Sequence, residues 1–266
     1  MLKINDREYQ YSKYPNGEIK FPSYSTDMDV RIDWLFENNE EFFVLQVLVK
    51  YFQDNDVRVT LFMPFCPYGQ QDRTMPGMLF SFKYFAMLLN DLNLHKVVFV
   101  DPHSLVMDAA IKNSSIDYMD IERVIRSHDY NLIFYPDQGA AKKYSEIYTG
   151  TPYRFGNKKR NLETGEIISY EIVADRKDIE DKRVLIVDDI CMGGRTFKEA
   201  AKALTDMGAK CIGLQITHLM PQSVDFIKEL RKYGIEELYT YGEGVSGLIV
   251  HKLTPEERSC ITLTSH

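Results

Sequence analysis

Two carboxylates followed by a glycine-bearing loop are the groups in this sequence best suited to chemistry. Residues 184–187 are apolar, as in a buried parallel strand, and Asp188 and Asp189 follow them directly. A loop at 192–195 with two glycines leads into 196–204, where the apolar residues have helical spacing. Backbone N–H groups at the start of a helix attract phosphate, and carboxylates accept hydrogen bonds from hydroxyl groups or bind a metal. The stretch therefore predicts a site for a phosphorylated sugar.

A purely structural interpretation of the same stretch remains open. Thr196 and Glu199 have the spacing of a capping box, which stabilises the start of a helix without any ligand. Gly193 and Gly194 could serve only the turn. The position of the acidic pair favours the ligand, because open α/β sheets bind their ligands at the carboxyl ends of the strands.

A loop after another predicted strand combines aromatic, amide and charged side chains. The strand covers 57–63, and the loop 64–73 contains two prolines and a glycine, which exclude a helix. The loop ends in Gln71, Asp72 and Arg73. Such a loop can stack a base and bind its phosphates, although an ordinary surface loop can have the same composition.

Polar side chains also follow two further predicted strands. Asp101 and His103 come after the strand 96–100, and Asp137 comes after the strand 131–135. A carboxylate and an imidazole at the end of a strand can bind a metal or a substrate, whereas a single histidine is usually structural or simply exposed. Both interpretations stay open on the sequence alone.

Consecutive cations interrupt the acidic chain at 157–161, where Lys158, Lys159 and Arg160 lie between two asparagines. One interpretation is a mobile arm that closes over phosphates. The alternative is an ordinary charge run in contact with water.

Composition limits the classes of function. The chain has 266 residues and a net charge of −7, which argues against a broad nucleic-acid surface. No apolar run reaches the roughly 18–20 residues that a membrane span needs. The first residues lack the apolar core of a secretory signal, and the four cysteines are not spaced for a metal knuckle. We therefore expect a globular protein of the reducing cytoplasm that binds neither membrane nor nucleic acid.

Predicted strands and helices alternate along the chain, which indicates a mostly parallel sheet. Residues 1–30 look polar and strand-like, with a turn at 15–17, and a helix start is expected at 38–41. The other predicted helices are 79–94, 121–128, 140–148, 196–204 and 222–232, and the last predicted strands are 211–218 and 238–241. A basic residue, four apolar residues and an aspartate recur at 96–101 and 183–188, which suggests an internal repeat.

The sequence resembles the ribose-phosphate diphosphokinases, also called phosphoribosyl pyrophosphate synthetases, across nearly its whole length. Segments in the same order are similar to that family's motifs: 14–18 to its N-terminal Asp-Gly-Glu segment, 64–73 to its Tyr-Ala-Arg-Gln-Asp-Arg loop, 101–104 to its Asp-Leu-His-Ser, 136–142 to its Pro-Asp-x-Gly-Gly-x-Lys, 157–160 to its catalytic Lys-Arg arm, 187–196 to its phosphoribosyl pyrophosphate loop, and 217–218 to its Thr-His. The loop alone would indicate only phosphoribosyl chemistry, and the order of the motifs makes the resemblance specific.

The resemblance implies a fold and an activity. The fold is α/β, with two similar type I phosphoribosyltransferase-like domains, each a mostly parallel sheet flanked by helices. The boundaries that we expect are 1–128 and 129–266, with the phosphoribosyl loop in the second domain. The implied activity is the Mg²⁺-dependent transfer of the diphosphoryl group of ATP to the C1 hydroxyl of ribose 5-phosphate, which gives phosphoribosyl pyrophosphate and AMP. The implied assembly is a homo-oligomer, either a dimer or a hexamer.

The resemblance also implies roles for individual residues. The ATP-binding residues would be Asn16, Glu18, Gln71, Asp72, Arg73 and His103, with the segment 16–18 contributed by a neighbouring subunit. The Mg²⁺ ligands would be His103 and Asp137, and the catalytic cations would be Lys158 and Arg160. The ribose 5-phosphate site would comprise Asp188 and Asp189 at the hydroxyls and Gly193, Gly194, Arg195 and Thr196 around the phosphate.

The sequence departs from the family pattern at four positions within these motifs. Gln70 stands where the family has arginine in its ATP loop, and Met192 stands where it has aspartate in its phosphoribosyl loop. Gly193 replaces threonine and Arg195 replaces glycine. A guanidinium group binds phosphate well, so that Arg195 either adds a phosphate contact or crowds the loop.

Two other functions remain open. A type I phosphoribosyltransferase would explain 184–196, but it would leave the loop 64–73, the Asp101–His103 pair and the basic arm unexplained. A catalytically silent paralogue that binds nucleotide or sugar phosphate and regulates a partner would explain Gln70 and Met192. The retained metal-binding and cationic residues argue against that paralogue.

Overall fold

A computed structural model of the chain describes residues 1–26, 28–160, 167–220, 224–241, 248–252 and 262–263. The chain forms two compact units, 1–118 and 119–266. The short helix at 121–127 thus belongs to the second unit, whereas a boundary after residue 128 would assign it to the first.

The first unit is built on a mixed sheet with the strand order β2-β1-β5-β6-β7-β8. Its strands are β1 (Leu2–Ile4), β2 (Arg7–Glu8), β5 (Val30–Trp34), β6 (Val59–Phe62), β7 (Lys96–Val100) and β8 (Ser114–Asp117), and β5 to β8 are parallel. β3 (Ser12–Lys13) and β4 (Ile19–Lys20) form a separate hairpin around the predicted turn. The helices α1 (Glu40–Asp54), α2 (Ser81–Asn90) and α3 (Val106–Ala110) follow β5, β6 and β7.

The core of the first unit forms where α1 and α2 bury one face each. The buried residues of α1 recur at helical spacing, which is why this segment folds as an amphipathic helix: Val44, Leu45, Leu48, Val49 and Phe52. At the end of β5, Trp34 is fully buried and stacks on Phe42 with ring centroids 5.7 Å apart. Its indole N–H donates to the Glu41 carboxylate at 3.0 Å, so that the polar edge of the ring is satisfied.

The second unit is built on a longer sheet with the strand order β11-β10-β9-β12-β13-β14-β15-β16. Its strands are β9 (Leu132–Tyr135), β10 (Tyr153–Arg160), β11 (Ile167–Val173), β12 (Arg183–Cys191), β13 (Cys211–Leu219), β14 (Ile235–Tyr241), β15 (Leu248–Lys252) and β16 (Thr262–Leu263). The strands β10, β9, β12, β13 and β14 are parallel, and β11, β15 and β16 add antiparallel edges. The helices are α4 (Ile121–Ser127), α5 (Gln138–Tyr144), α6 (Arg195–Asp206) and α7 (Val224–Lys232), with a 3₁₀ turn at Arg176–Asp178.

The parallel strands β9, β12 and β13 are buried along most of their length, as their apolar runs predict, whereas β10 is only partly buried. Helix α6 packs one face of this sheet with Phe197, Ala200, Ala201 and Leu204, all of them buried. From α7, Phe226 and Leu230 join the same core. The packing of α6 against the sheet and against α7 therefore fixes the position where α6 begins, which is the predicted phosphate-binding position.

The predicted α/β class with two mostly parallel sheets flanked by helices is confirmed. β7 has the predicted bounds, but α2 is shorter at both ends than the predicted 79–94. The sequence did not predict the strands β5, β8, β10, β11, β15 and β16. The two segments of the suggested repeat fold as β7 and β12, each the third parallel strand of its sheet, in the orders β5-β6-β7-β8 and β10-β9-β12-β13-β14.

Two further expectations concern cysteines and membranes. Cys66, Cys191 and Cys211 are buried and form no disulfide, and Cys260 lies outside the described residues. In the described parts of the chain, no helix has the length and apolar character to cross a membrane.

Candidate active site

The carboxyl edge of the second unit's sheet gathers several of the predicted groups. Asp137 follows β9, Lys158 lies near the end of β10, and Asp188 and Asp189 are the sixth and seventh of the nine residues of β12. These strands are parallel neighbours, so that their carboxyl ends meet at one edge. Arg160 belongs to β10 by its backbone, and its side chain lies outside the described residues.

Asp137 is held from two sides. One carboxylate oxygen accepts the Ala140 N–H at 3.0 Å and thereby caps α5, and the other forms an ion pair with the Lys158 ammonium. Burial raises the pKa of Asp137, but the hydrogen bonds from Lys158 and from the Ala140 N–H outweigh it and lower the pKa below its ordinary value. The carboxylate is therefore ionised and already neutralised by a lysine.

The acidic pair lies inside a strand and not at its end, which corrects the sequence prediction. β12 continues to Cys191 because its pairing with β13 runs on past the carboxylates, with Asp188 opposite Ile216. Asp189 is buried, with 5 % of its surface exposed, and its N–H donates to the Asp188 carboxylate at 3.0 Å. Burial, the neighbouring Asp189 and then Asp137 raise the pKa of Asp188. The arrangement therefore crowds carboxyl groups at this edge.

The basic stretch folds as one strand of an antiparallel hairpin, β10–β11. Lys158 lies opposite Tyr170, whose hydroxyl donates to the Pro136 carbonyl at 3.0 Å. A Cβ at Gly156 would lie 2.2 Å from that hydroxyl oxygen, so that glycine is needed for the tyrosine to reach across. Sequence reasoning missed Tyr170, although the apolar and aromatic residues of 167–173 carry a usable strand signal.

The phosphate loop turns through Gly194, which precedes α6 with a φ of +72°. A Cβ at Gly194 would lie 2.5 Å from the Phe226 ring, whereas a Cβ at Gly193 would meet nothing within 4 Å. Because α6 begins at Arg195, Thr196 lies inside its first turn and the capping-box interpretation is wrong. Gly194 is therefore required by the turn and by close packing, and Gly193 by neither.

Side chains behind the loop fasten α6 to α7. Lys198 forms an ion pair with Glu229 at 2.8 Å, and its ammonium lies 5.6 Å from the centre of the Phe226 ring and 5.8 Å from that of Tyr233. The Lys198 side chain is 15 % exposed, which strengthens these contacts relative to a surface pair. The start of α6 is thus rigidly supported.

The predicted nucleotide-binding residues belong to the first unit. Gln71 and Asp72 are half-buried and Arg73 is exposed, in a loop without helix as predicted. The Gln71 side chain accepts a hydrogen bond from the Ser81 hydroxyl, which ties the loop to the start of α2. A Cβ at Gly69 would overlap the Met107 side chain, so that the loop lies close against α3.

Two other predicted segments of the first unit lie at loop positions. Asp101 has a φ of +44° and is buried, while His103 is exposed. Asn16 and Glu18 occupy the exposed turn of the β3–β4 hairpin, where the Glu18 N–H donates to the Asn16 side chain at 3.2 Å.

The residues that depart from the family pattern are exposed. Gln70 lies at the surface of the first unit's loop, and Met192 has 58 % of its surface exposed. Gly193 and Arg195 are also exposed, beside the buried Gly194. The loop conformation thus accommodates the Arg195 side chain without burying it.

Carboxylates at this edge suit a hard cation. Mg²⁺ binds proteins through one or two carboxylates together with substrate phosphates and water, and a dedicated cage is not needed. Within the described residues, no three His, Cys, Asp or Glu side chains form such a cage. Asp137 already binds a cationic group, the Lys158 ammonium, which shows that its carboxylate can hold positive charge. Asp137 therefore fits Mg²⁺ as one of few protein ligands.

Comparisons with known proteins agree with the geometry. Residues 152–242 match the phosphoribosyl transferase domain family. A ribose-phosphate pyrophosphokinase of Saccharolobus solfataricus is 28 % identical over 85 % of this chain and 80 % of its own length. That of Sulfolobus acidocaldarius is 26 % identical over 96 % of this chain and 87 % of its own length.

A solved structure shares the fold. The crystal structure of phosphoribosylpyrophosphate synthetase from Mycobacterium smegmatis superimposes with a TM-score of 0.70, at 23 % identity, over 87 % of this chain and 78 % of that one. The relatives confirm the resemblance inferred from the sequence motifs, and this structure confirms the fold, over most of the chain.

Proposed function

We propose that this chain is a ribose-phosphate diphosphokinase. The C1 hydroxyl oxygen of ribose 5-phosphate attacks the β-phosphorus of ATP and loses its proton. The bond from the β-phosphorus to the oxygen that bridges it to the α-phosphorus breaks, and AMP leaves with that oxygen. The products are phosphoribosyl pyrophosphate and AMP.

The main support for this proposal is that one edge of the second unit's sheet holds the predicted sugar-phosphate loop together with a lysine and a carboxylate. A phosphoribosyltransferase needs the loop and the acidic pair, but a diphosphoryl transfer also needs cationic groups for the transferring phosphates. Lys158 and Asp137 provide a cation and a metal ligand at the same edge as Asp188. The names of the relatives support the same activity.

The ribose 5-phosphate would bind along β12 and the start of α6. Asp188 and Asp189 would accept hydrogen bonds from the ribose hydroxyls. The Gly194 N–H hydrogen-bonds to the Cys191 sulfur, within a buried environment that raises the pKa of this thiol to about 12. The 5-phosphate would therefore be bound by N–H groups at 193 and in the first turn of α6, with the Arg195 guanidinium beside them.

Lys158 and Arg160 would stabilise the transferring group. Negative charge on the phosphoryl oxygens is best neutralised by cations that are fixed in advance. A hairpin that closes over the phosphates would also exclude water, which otherwise competes with the sugar hydroxyl. When bound at Asp137, Mg²⁺ would neutralise phosphate charge.

The ATP site would use the first unit's predicted residues: Asn16, Glu18, Gln71, Asp72, Arg73 and His103. The exposed turn at 16–18 suits a contribution to a neighbouring subunit, and we propose a homo-oligomer, either a dimer or a hexamer. A cytoplasmic location belongs to the same proposal, because its substrates are intracellular metabolites.

One assay separates the candidate functions. Purified protein is incubated with ATP, Mg²⁺ and ribose 5-phosphate, and AMP and phosphoribosyl pyrophosphate are measured by chromatography, with each component omitted in turn. AMP that forms only with the sugar supports the proposal. Consumption of phosphoribosyl pyrophosphate with a nitrogenous base would indicate a phosphoribosyltransferase. Binding of ATP or ribose 5-phosphate in calorimetry without any turnover would indicate a silent paralogue.

A further inference from the structure

Two groups that the proposed reaction assigns to different tasks are paired with each other. Lys158 is the proposed catalytic cation and Asp137 the proposed metal ligand, and yet the ammonium and the carboxylate form a direct ion pair. Both side chains are only about a quarter exposed, at 23 % and 25 %, so that this is not a loose surface contact.

The pair is built into the hairpin. Lys158 lies opposite Tyr170 in the β10–β11 register, and the Tyr170 hydroxyl holds the hairpin to the Pro136 carbonyl, next to Asp137. The Ala140 N–H fixes the carboxylate from the other side at 3.0 Å. Two hydrogen bonds to the backbone, one from Tyr170 to Pro136 and one from Ala140 to Asp137, therefore hold the ammonium and the carboxylate together.

The surroundings explain why a cation belongs there. Asp188 and Asp189 add carboxyl groups at the same edge, where burial and the neighbouring Asp189 and Asp137 raise the pKa of Asp188. Among the described charged groups, Lys158 is the one that directly neutralises Asp137. A carboxylate cluster of this kind is costly without a nearby positive charge.

We propose that the Lys158 ammonium is a resident counter-ion of Asp137, and that a divalent cation displaces it. This inference rests on the proposed function insofar as Asp137 is a metal ligand there. The exchange would release the ammonium toward the phosphates only after the metal has arrived. Before substrate binds, the lysine would keep the acidic edge neutralised and the hairpin seated.

Competition for one carboxylate gives a clear test by metal titration without nucleotide. Mn²⁺ affinity is measured by isothermal titration calorimetry for wild type, Lys158→Met and Lys202→Met. Lys202 is an exposed lysine of α6 in the same unit and outside the site motifs, so that its substitution removes one positive charge but no contact with Asp137. We expect Lys158→Met to bind Mn²⁺ on the order of tenfold more tightly, the effect of losing one charge-assisted hydrogen bond, and Lys202→Met to change little.

A second measurement follows the lysine directly. Lysines are labelled by reductive ¹³C-methylation, the Lys158 signal is assigned by its loss in Lys158→Met, and diamagnetic Mg²⁺ is titrated into the wild type. We expect this signal to shift with the same midpoint as metal binding. Equal Mn²⁺ affinities of wild type and Lys158→Met, or a Lys158 signal that ignores Mg²⁺, would overturn the exchange.

Controls distinguish a misfolded variant, or a wrong proposed function, from a wrong proposal about the exchange of Lys158 and the metal. Lys158→Gln is used in place of Lys158→Met if the latter shows altered circular dichroism. If the wild type forms AMP but the metal and Lys158 do not compete, the proposed exchange is refuted and the proposed function stands. If the metal and Lys158 compete but no AMP forms, the proposed function is refuted and the exchange stands.

Discussion

A methyl group added at Gly194 should disturb the phosphate loop twice. The φ of +72° is a left-handed conformation that costs alanine roughly 1–2 kcal/mol. The new Cβ would lie 2.5 Å from the buried Phe226 ring, and overpacking of this kind costs about 1–3 kcal/mol. Gly194→Ala should therefore lower the unfolding free energy by about 2–5 kcal/mol, or the melting temperature by roughly 5–15 °C.

Gly193→Ala is the matched control, because a Cβ at Gly193 meets nothing within 4 Å. It should be neutral or slightly stabilising, since alanine restricts the unfolded chain more than glycine does. Adding Phe226→Leu to Gly194→Ala should weaken the steric part of the effect and leave the backbone part. Differential scanning calorimetry of all four proteins measures these differences. Equal melting temperatures for the two alanine variants would refute the reasoning about the loop.

Three further predictions concern the cations, the metal and a polar cluster at the opposite end of the second sheet. Lys158→Ala should lower kcat on the order of 100-fold with little change in substrate KM, and equal changes in both would remove its transition-state role. His103→Ala should raise the Mg²⁺ concentration for half-maximal activity, and an unchanged titration would exclude His103 from the site. The Tyr130 and Tyr239 hydroxyls, each 2.6 Å from Glu237, outweigh burial and lower the pKa of Glu237. The stabilising effect of the Glu237 carboxylate should thus be complete above about pH 4–5 and lost as the pH falls further. Glu237→Gln should therefore lower the unfolding free energy at neutral pH and lower it progressively less in acid. Denaturant titrations across pH measure this difference.

The sequence predicts those strands well whose burial makes them continuous apolar runs. β7, β9 and β13 are of this kind, because parallel strands covered on both faces need apolar side chains at nearly every position. The hairpin β10–β11 carries lysines, a glycine and a glutamate, so that its composition resembles a loop. Its strand conformation follows from pairing with β9, which is a tertiary contact.

The site is predicted in its members but not in its pairing. Asp137, Lys158 and Asp188 were each identified from local motifs, which carry no information about distances between segments. The contact between Lys158 and Asp137 depends on the register of β10 and on Tyr170, which lies far from Asp137 in the sequence. Gly194 was predicted as part of the turn, but its second constraint, the Phe226 ring, comes from α7.

Following the oxygen on C1 of ribose 5-phosphate with an isotope tests the central claim most directly. With ¹⁸O at C1, the product of incubation with ATP and Mg²⁺ is examined by ³¹P nuclear magnetic resonance and mass spectrometry. Attack by the C1 hydroxyl on the β-phosphorus predicts AMP and a phosphoribosyl pyrophosphate that retains the label between C1 and phosphorus. Formation of ADP in place of AMP, or loss of the label from C1, would contradict the account.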